Sequence, residues 1–97
     1  MSKFVIKFTT QFKKDFKKIK RDQRKLEESQ KVFEFLMNDG VKGIPENMKP
    51  HQLKGNYKNH WECHILPDLL IIWLQFDEET KEIHLIRIGS HAEILKM

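Results

Sequence analysis

A β-hairpin pattern in residues 61–76, which run WECHILPDLLIIWLQF, decides the fold. Two strands are predicted, one at Trp61 to Ile65, where apolar and polar residues alternate, and one at Leu69 to Phe76, which is largely apolar. Pro67 and Asp68 stand between the two strands and supply turn chemistry. Because strands joined by so short a turn pair antiparallel, this segment predicts the centre of a sheet.

Further elements are predicted on both sides of the hairpin. Another strand is expected at Ile83 to Ile88, after the polar turn Asp77 to Thr80, and a short strand at His51 to Leu53. Val41 to Pro50 is predicted as a loop, since its glycine and prolines interrupt helices and ladders. A short helical turn is expected at Ala92 to Leu95.

The N-terminal part of the chain predicts a strand, Lys3 to Phe8, followed by two amphipathic helices. The first helix begins at Gln11, and the second runs from about Arg21 to Asn38 before the stop signal of Gly40. Strand, helix, helix and then an antiparallel meander predict a single α+β domain over residues 1–97. Both helices are expected to pack on one face of the antiparallel sheet.

Charge is unevenly distributed along the chain. The formal net charge is +4, and eleven of the 18 basic residues lie in residues 1–31, whereas acidic residues gather around Asp77, Glu78, Glu79 and Glu82. A basic half favours a polyanion or an acidic protein as partner, with a merely solvated lysine-rich surface as the alternative. We define the basic helical surface as Lys13, Lys14, Lys17, Lys18, Arg21 and Arg24.

Cysteine content and hydropathy indicate the compartment. Cys63 is the chain's one cysteine, so an internal disulfide is excluded and a reducing cytoplasm is the expectation. The N-terminus has no apolar stretch long enough for a signal peptide, and the longest apolar run, Leu69 to Leu74, is too short to span a bilayer. We therefore expect a cytoplasmic protein without a membrane partner.

A metal or thiol site is not favoured by the residues around Cys63. His60, Cys63 and His64 are possible ligands, but strand alternation puts Cys63 on the face opposite Glu62, His64 and Leu66. The same alternation separates Cys63 from His64 as a nucleophile–base pair. The prediction is a core cysteine, with no metal and no cofactor.

Histidine, aspartate and arginine residues are the candidates for chemistry. Histidine transfers protons near neutral pH, and the chain has five, of which four lie near polar turns: His51, His60, His64 and His91. Arg87 is one of three arginines and stands in an apolar strand. Its guanidinium can bind a phosphate through two hydrogen bonds, and an ion pair with Asp68 or Glu62 is the alternative.

Four segments, in order, are similar to segments of one toxin family. They are FKKDF (12–16), PHQLKGNY (50–57), ECHILPDLLIIW (62–73) and LIRIGSH (85–91). On these the chain resembles the RelE/ParE toxin superfamily, in its YafQ-like branch, over nearly its whole length. Two positions depart from that pattern, because Leu69 and Leu95 stand where the family often carries aromatic residues.

The resemblance implies a RelE-like fold and the toxin of a type II toxin–antitoxin system. The implied activity is a ribosome-dependent endoribonuclease that cuts mRNA in the A site by metal-independent attack of the RNA 2′-hydroxyl. Implied partners are a cognate antitoxin, mRNA and the ribosome, with operator DNA reached only through the antitoxin complex. By similarity the catalytic residues are His51, His64, Asp68, Arg87 and His91.

Roles within this set follow from the implied reaction. The general base is His51, His64 or Asp68, Arg87 stabilises the transition state, and His91 is the general acid. Two other functions stay open. One is a ParE-like toxin that inhibits gyrase, a branch that generally lacks the histidine set, and the other is a catalytically silent binding domain acting as co-repressor.

Overall fold

The computed structural model describes residues 3–78 and 80–94, so the predictions involving Glu79 and Leu95 lie outside the described residues. Three 3-10 turns, Gly40–Gly43, Glu46–Met48 and Gly55–Tyr57, occupy the predicted loop and the approach to the hairpin. The other elements, in chain order, are β1 (Val5–Phe8), α1 (Thr10–Ile19), α2 (Gln23–Asp39), β2 (His51–Gln52), β3 (Trp61–Leu66), β4 (Leu69–Phe76), β5 (Glu82–Gly89) and α3 (His91–Ile94).

The five strands form one mixed sheet in the order β1-β5-β4-β3-β2. The antiparallel meander is confirmed for β2 to β5, whereas β1 pairs with β5 in parallel. The sheet is therefore not antiparallel throughout. Because the parallel register runs only from Val5↔Glu82 to Phe8↔Leu85, β1 leaves the last part of the outer edge of β5 unpaired.

Thr9 connects the first strand, the first helix and the last strand. Its hydroxyl accepts a hydrogen bond from Phe12 N at 3.2 Å and donates one to the Leu85 carbonyl at 2.8 Å. The first contact caps α1, because the opening N–H groups of a helix have no partner inside it. Asp22 caps α2 in the same way, through Lys25 N, and this explains why α2 begins slightly later than predicted.

The two helices pack on one face of the sheet, as predicted, and enclose the main core. Phe12, Val32 and Leu36 from the helices are fully buried against Trp73 and Leu85 of the strands. The opposite face, which we call the second face, carries a smaller apolar cluster. Its buried members are Leu70, Ile72 and Ile94, with Leu53, Tyr57 and Ile86 packed against them.

Two register shifts adjust which side chains reach each face. The irregularity between His64 and Leu66 brings Leu66 against the main core, so its predicted place beside Glu62 and His64 is wrong. The second shift leaves Ile86 without a partner on β4, so that Arg87 lies opposite Ile72. Such bulges re-aim side chains at the rim of a sheet. No helix within residues 3–78 and 80–94 has the length and apolar character needed to cross a membrane.

Candidate active site

Two of the predicted catalytic residues stand at the ends of one row across four strands. The register pairs His51 with Glu62, Glu62 with Ile72, and Ile72 with Arg87. Adjacent strands are about 4.8 Å apart, so three steps separate the backbones of His51 and Arg87 by about 14 Å. Glu62 and Ile72, between the two ends of the row, are buried, so His51 and Arg87 are separated by covered residues.

A second row places the remaining histidines. His64 pairs with Leu70, and Leu70 pairs with Gly89, two residues before His91. His51 and His64 are thus diagonal neighbours, with backbones about 7–8 Å apart. His91 begins α3 and is exposed, as is Asp68 in the turn between β3 and β4. As the antiparallel pairing predicted, the end of β5 lies beside the start of β4.

The structure brings the five residues to neighbouring strands and turns but not into one pocket, since Arg87 and His64 line different hollows. Within the described residues, no hydrogen bond or ion pair joins two members of the set. His51 and Arg87 instead contact carboxylates outside the set, Glu62 and Asp15. The site is therefore a set of separately held groups, and a substrate would have to bridge them.

Both ring nitrogens of His51 face hydrogen-bond acceptors. Nδ1 lies 2.7 Å from the Lys49 carbonyl oxygen, and Nε2 lies 3.2 Å from Glu62 Oε1. A neutral imidazole carries a single N–H, and an ionised carboxylate only accepts. A neutral His51 therefore donates to only one of the two acceptors, and its other ring nitrogen faces an oxygen without donating to it.

Glu62 is buried, although it is a charged residue type. Its side chain is 5% exposed, against 48% for His51, and Oε2 has no hydrogen-bond partner among the described residues. Burial of a carboxylate is costly unless it is paired. Glu62 Oε1 has His51 as its neighbour, whereas the buried Oε2 without a partner carries a cost to stability.

Arg87 is fixed by Asp15 of α1. Its Nε and Nη2 donate to the two carboxylate oxygens of Asp15 at 2.7 and 3.3 Å, and Ile88 N donates to the same carboxylate at 3.1 Å. The hydrogen bond to Asp15, with a further one to Tyr57, raises the pKa of Arg87, so the guanidinium stays charged. The alternative pairing of Arg87 with Asp68 or Glu62 is wrong.

His91 is placed by a capping box at the start of α3. Ser90 N donates to Glu93 Oε1 at 3.0 Å, and Glu93 N donates to Ser90 Oγ at 3.2 Å. These bonds to Ser90 lower the pKa of Glu93. Gly89 before the box has φ +158°, and a Cβ there would stand 3.0 Å from Glu93 Oε1. Gly89 is thus explained by its backbone conformation and Ser90 by its capping bonds, and together they place His91 at the start of α3.

A groove runs along the outer edge of β5, between α1 and α3. It has a volume of about 690 Å³, and four charged residues line it: Asp15, Lys18, Arg87 and Glu93. Every residue of the basic helical surface is exposed. Lys18 belongs to both features, so the cationic surface continues into the groove beside Arg87.

Neither a reactive thiol nor a metal-binding group is found at this site among the described residues. Cys63 is fully buried in the main core, as predicted, and burial, with a smaller contribution from Glu62, raises the pKa of its thiol to about 12. It is therefore an unreactive thiol. Within residues 3–78 and 80–94, no group of three or more His, Cys, Asp or Glu residues is arranged to hold a metal ion.

Comparison with known sequences identifies the family. A family described as the bacterial toxin of a type II toxin–antitoxin system, YafQ, matches residues 4–96. The chain belongs to the YafQ toxin family. A relative from Escherichia coli K12, named mRNA interferase toxin YafQ, is 26% identical over 89 residues, covering 92% of each chain. A relative from Haemophilus influenzae carries the name "Putative toxin YafQ". It is 33% identical over 51 residues, which cover 52% of this chain and 50% of the relative.

Solved structures agree with membership of the YafQ family. The Escherichia coli DinJ-YafQ toxin–antitoxin complex contains a chain 25% identical to this one, with a TM-score of 0.81 over 95% of this chain and 97% of that one. A metal-bound Helicobacter pylori toxin is 30% identical, with a TM-score of 0.77 over 94% and 98%. A YoeB/ParE toxin from Agrobacterium tumefaciens, at 18% identity and a TM-score of 0.76 over 91% and 99%, shares the fold.

Two carboxylates at this YafQ-family site were not assigned from sequence. Glu62 was placed correctly on the face of His64, and only the pairing of β2 with β3 sets it opposite His51. Asp15 stands inside the FKKDF segment, but its distance in sequence from Arg87 hides the contact. The single available signal was an aspartate standing among the lysines of an otherwise basic helix.

Proposed function

We propose that this YafQ-family toxin is an endoribonuclease that cleaves mRNA in the ribosomal A site. The observation that carries the proposal is the groove in which Arg87 stands with Lys18, at the end of β5 that leads directly to His91. His64 and Asp68 lie on the neighbouring β3–β4 hairpin. An always-charged guanidinium next to proton-transfer groups suits cleavage of a phosphodiester. The name mRNA interferase, carried by the Escherichia coli relative, supports the same reaction.

The proposed reaction needs only the chain's own side chains. A base removes the proton of the RNA 2′-hydroxyl, and the 2′-oxygen attacks the adjacent phosphorus while the bond to the 5′-oxygen breaks. Arg87 stabilises the additional negative charge on the phosphoryl oxygens, and His91 gives a proton to the leaving 5′-oxygen. The products are a 2′,3′-cyclic phosphate and a 5′-hydroxyl end.

The base is proposed from His51, His64 and Asp68, and the contacts favour the last two. His51 has no free ring nitrogen, because Lys49 and Glu62 face both, so it must leave one partner before it can accept a proton. His64 is partly exposed and Asp68 is exposed. Neither needs such a rearrangement, and His64 lies in the row that leads to His91.

The proposed partners are a cognate antitoxin, the ribosome and mRNA, within the cytoplasm. The exposed basic helical surface suits an acidic segment of an antitoxin, which could fold as it binds. The DinJ-YafQ complex of a structural relative supports an antitoxin as partner. Operator DNA would then be reached only through the toxin–antitoxin complex.

Gyrase inhibition is the second candidate, since the YoeB/ParE toxin has the same fold. The fold therefore does not separate the two activities. The presence of His51, His64 and His91 favours the ribonuclease, because a toxin that acts by binding gyrase needs no proton-transfer groups. A silent co-repressor is the third, and it would bind an antitoxin without cleaving RNA.

Mapping of RNA ends on purified ribosomes tests the proposal. Toxin treated with chelator and then desalted is added to programmed ribosomes and, separately, to the same mRNA without ribosomes. We expect A-site cleavage on ribosomes alone, with 2′,3′-cyclic phosphate ends. If the toxin stops DNA supercoiling by gyrase and leaves the mRNA intact, the second candidate is supported. If the toxin binds an antitoxin but neither cleaves mRNA nor inhibits gyrase, the third candidate is supported.

A further inference from the structure

The contact between Asp15 and Arg87 uses a defined part of the guanidinium. An arginine has five N–H donors, and Asp15 accepts from Nε and from one position on Nη2. Three donors remain beyond this pair, two on Nη1 and one on Nη2, and the hydrogen bond to Tyr57 engages one of them. The donors that are left lie toward the outer end of the fork, so a phosphate that meets Arg87 must approach from that end.

Asp15 is itself held, because it also closes the unpaired edge of β5. The partner strand β1 ends opposite Leu85, and beyond it Ile88 N donates to Asp15 Oδ2 at 3.1 Å. The Asp15 side chain is 11% exposed and that of Arg87 is 23% exposed. Partial burial strengthens a charge-assisted pair relative to one in open solvent.

We propose that Asp15 is a positioning residue for the nuclease site, which orients Arg87 so that its outer donors face the scissile phosphate. The proposal rests on the proposed catalytic role of Arg87. Tyr57 makes a further hydrogen bond to the same guanidinium. Asp15 acts entirely through Arg87 and does not touch the substrate.

A double-mutant cycle on cleavage tests this directly. Asp15→Ala should lower single-turnover cleavage on ribosomes by on the order of 100-fold, because a misplaced group loses most of its contribution. In the Arg87→Ala background the same substitution should lower cleavage no further. Asp22→Asn is the matched control, since it removes one negative charge nearby and asparagine caps a helix as well as aspartate.

Arg87 itself reports the geometry independently of activity. In the wild type the Nε proton, bonded to Asp15, should exchange slowly with water and give a distinct NMR signal. Asp15→Ala removes the acceptor and should lose this signal, while Asp22→Asn retains it. The same variants are compared in thermal unfolding. A loss of cleavage that persists equally in the Arg87→Ala background, or an unchanged Nε signal in Asp15→Ala, overturns the proposal. Normal cleavage by Arg87→Ala alone would instead overturn the proposed nuclease chemistry, and the Nε signal would still decide whether Asp15 holds the side chain.

Discussion

Glu62 Oε1 lies 3.2 Å from His51 Nε2, while the second oxygen of Glu62 is buried without a hydrogen-bond partner among the described residues. The pair thus joins an exposed imidazole to a buried carboxyl. Groups placed at a cost to stability usually serve a site rather than the fold. Cleavage and stability should therefore respond in opposite directions when Glu62 is changed.

Glu62→Gln should lower single-turnover cleavage by roughly 10-fold, because His51, one of the three proposed bases, loses the carboxylate that it faces. The same variant should unfold at the same temperature or higher, since a neutral amide is easier to bury than a carboxylate. Calorimetry and ribosome cleavage measure the two effects on one preparation. Unchanged cleavage together with a lower unfolding temperature would mean that Glu62 has a structural role only.

His91→Ala and Arg87→Ala should each reduce single-turnover cleavage by about 100-fold or more, equivalent to about 3 kcal/mol of transition-state stabilisation. Ribosome binding should change little, because each residue is assigned to the chemical step. His84→Ala is the control, since His84 pairs with Glu82 toward the other end of β5. Near-normal cleavage by both active-site variants would remove them from the mechanism.

Charge reversal on the basic helical surface should weaken antitoxin binding. Changing Lys13, Lys14 and Lys17 to glutamate removes long-range attraction, so affinity should fall and its dependence on salt should flatten. Isothermal titration at two salt concentrations measures both effects. The matched control reverses three lysines that line a separate hollow, Lys3, Lys42 and Lys81. Equal loss of affinity in both triple variants would point to net charge rather than to this surface.

The capping box should make α3 sensitive to acid. The pKa of Glu93 is lowered in the folded chain from its usual value of 4.5, so its contribution is present above that value and is lost as the pH falls through the lowered pKa. NMR shifts of Ala92 and Ile94 should follow this loss in the wild type and not in Glu93→Gln. Ser90→Ala should destabilise α3 by about 1 kcal/mol at neutral pH. Identical acid titrations of wild type and Glu93→Gln would contradict this origin.

Prediction from sequence succeeded where a local pattern determines the structure. The alternation of residues 61–65 put Cys63 in the core and Glu62 beside His64, and both placements are confirmed. It failed at Leu66, because a register shift cannot be seen in a period of two. The partner of Arg87 was also missed, since the Asp15 contact depends on how α1 lies along β5.

The parallel pairing of β1 with β5 has a consequence for the order of folding. The first strand to be synthesised has its hydrogen-bond partner in the last one, so β1 stays without that partner until β5 has been made. Contacts so distant in sequence form late and slow the folding of a domain. Thr9 and Asp15 reach their bonds with β5 only after that event. Arg87 is itself part of β5, so Asp15 can orient it only after the whole sheet has been synthesised, and the proposed site is completed last.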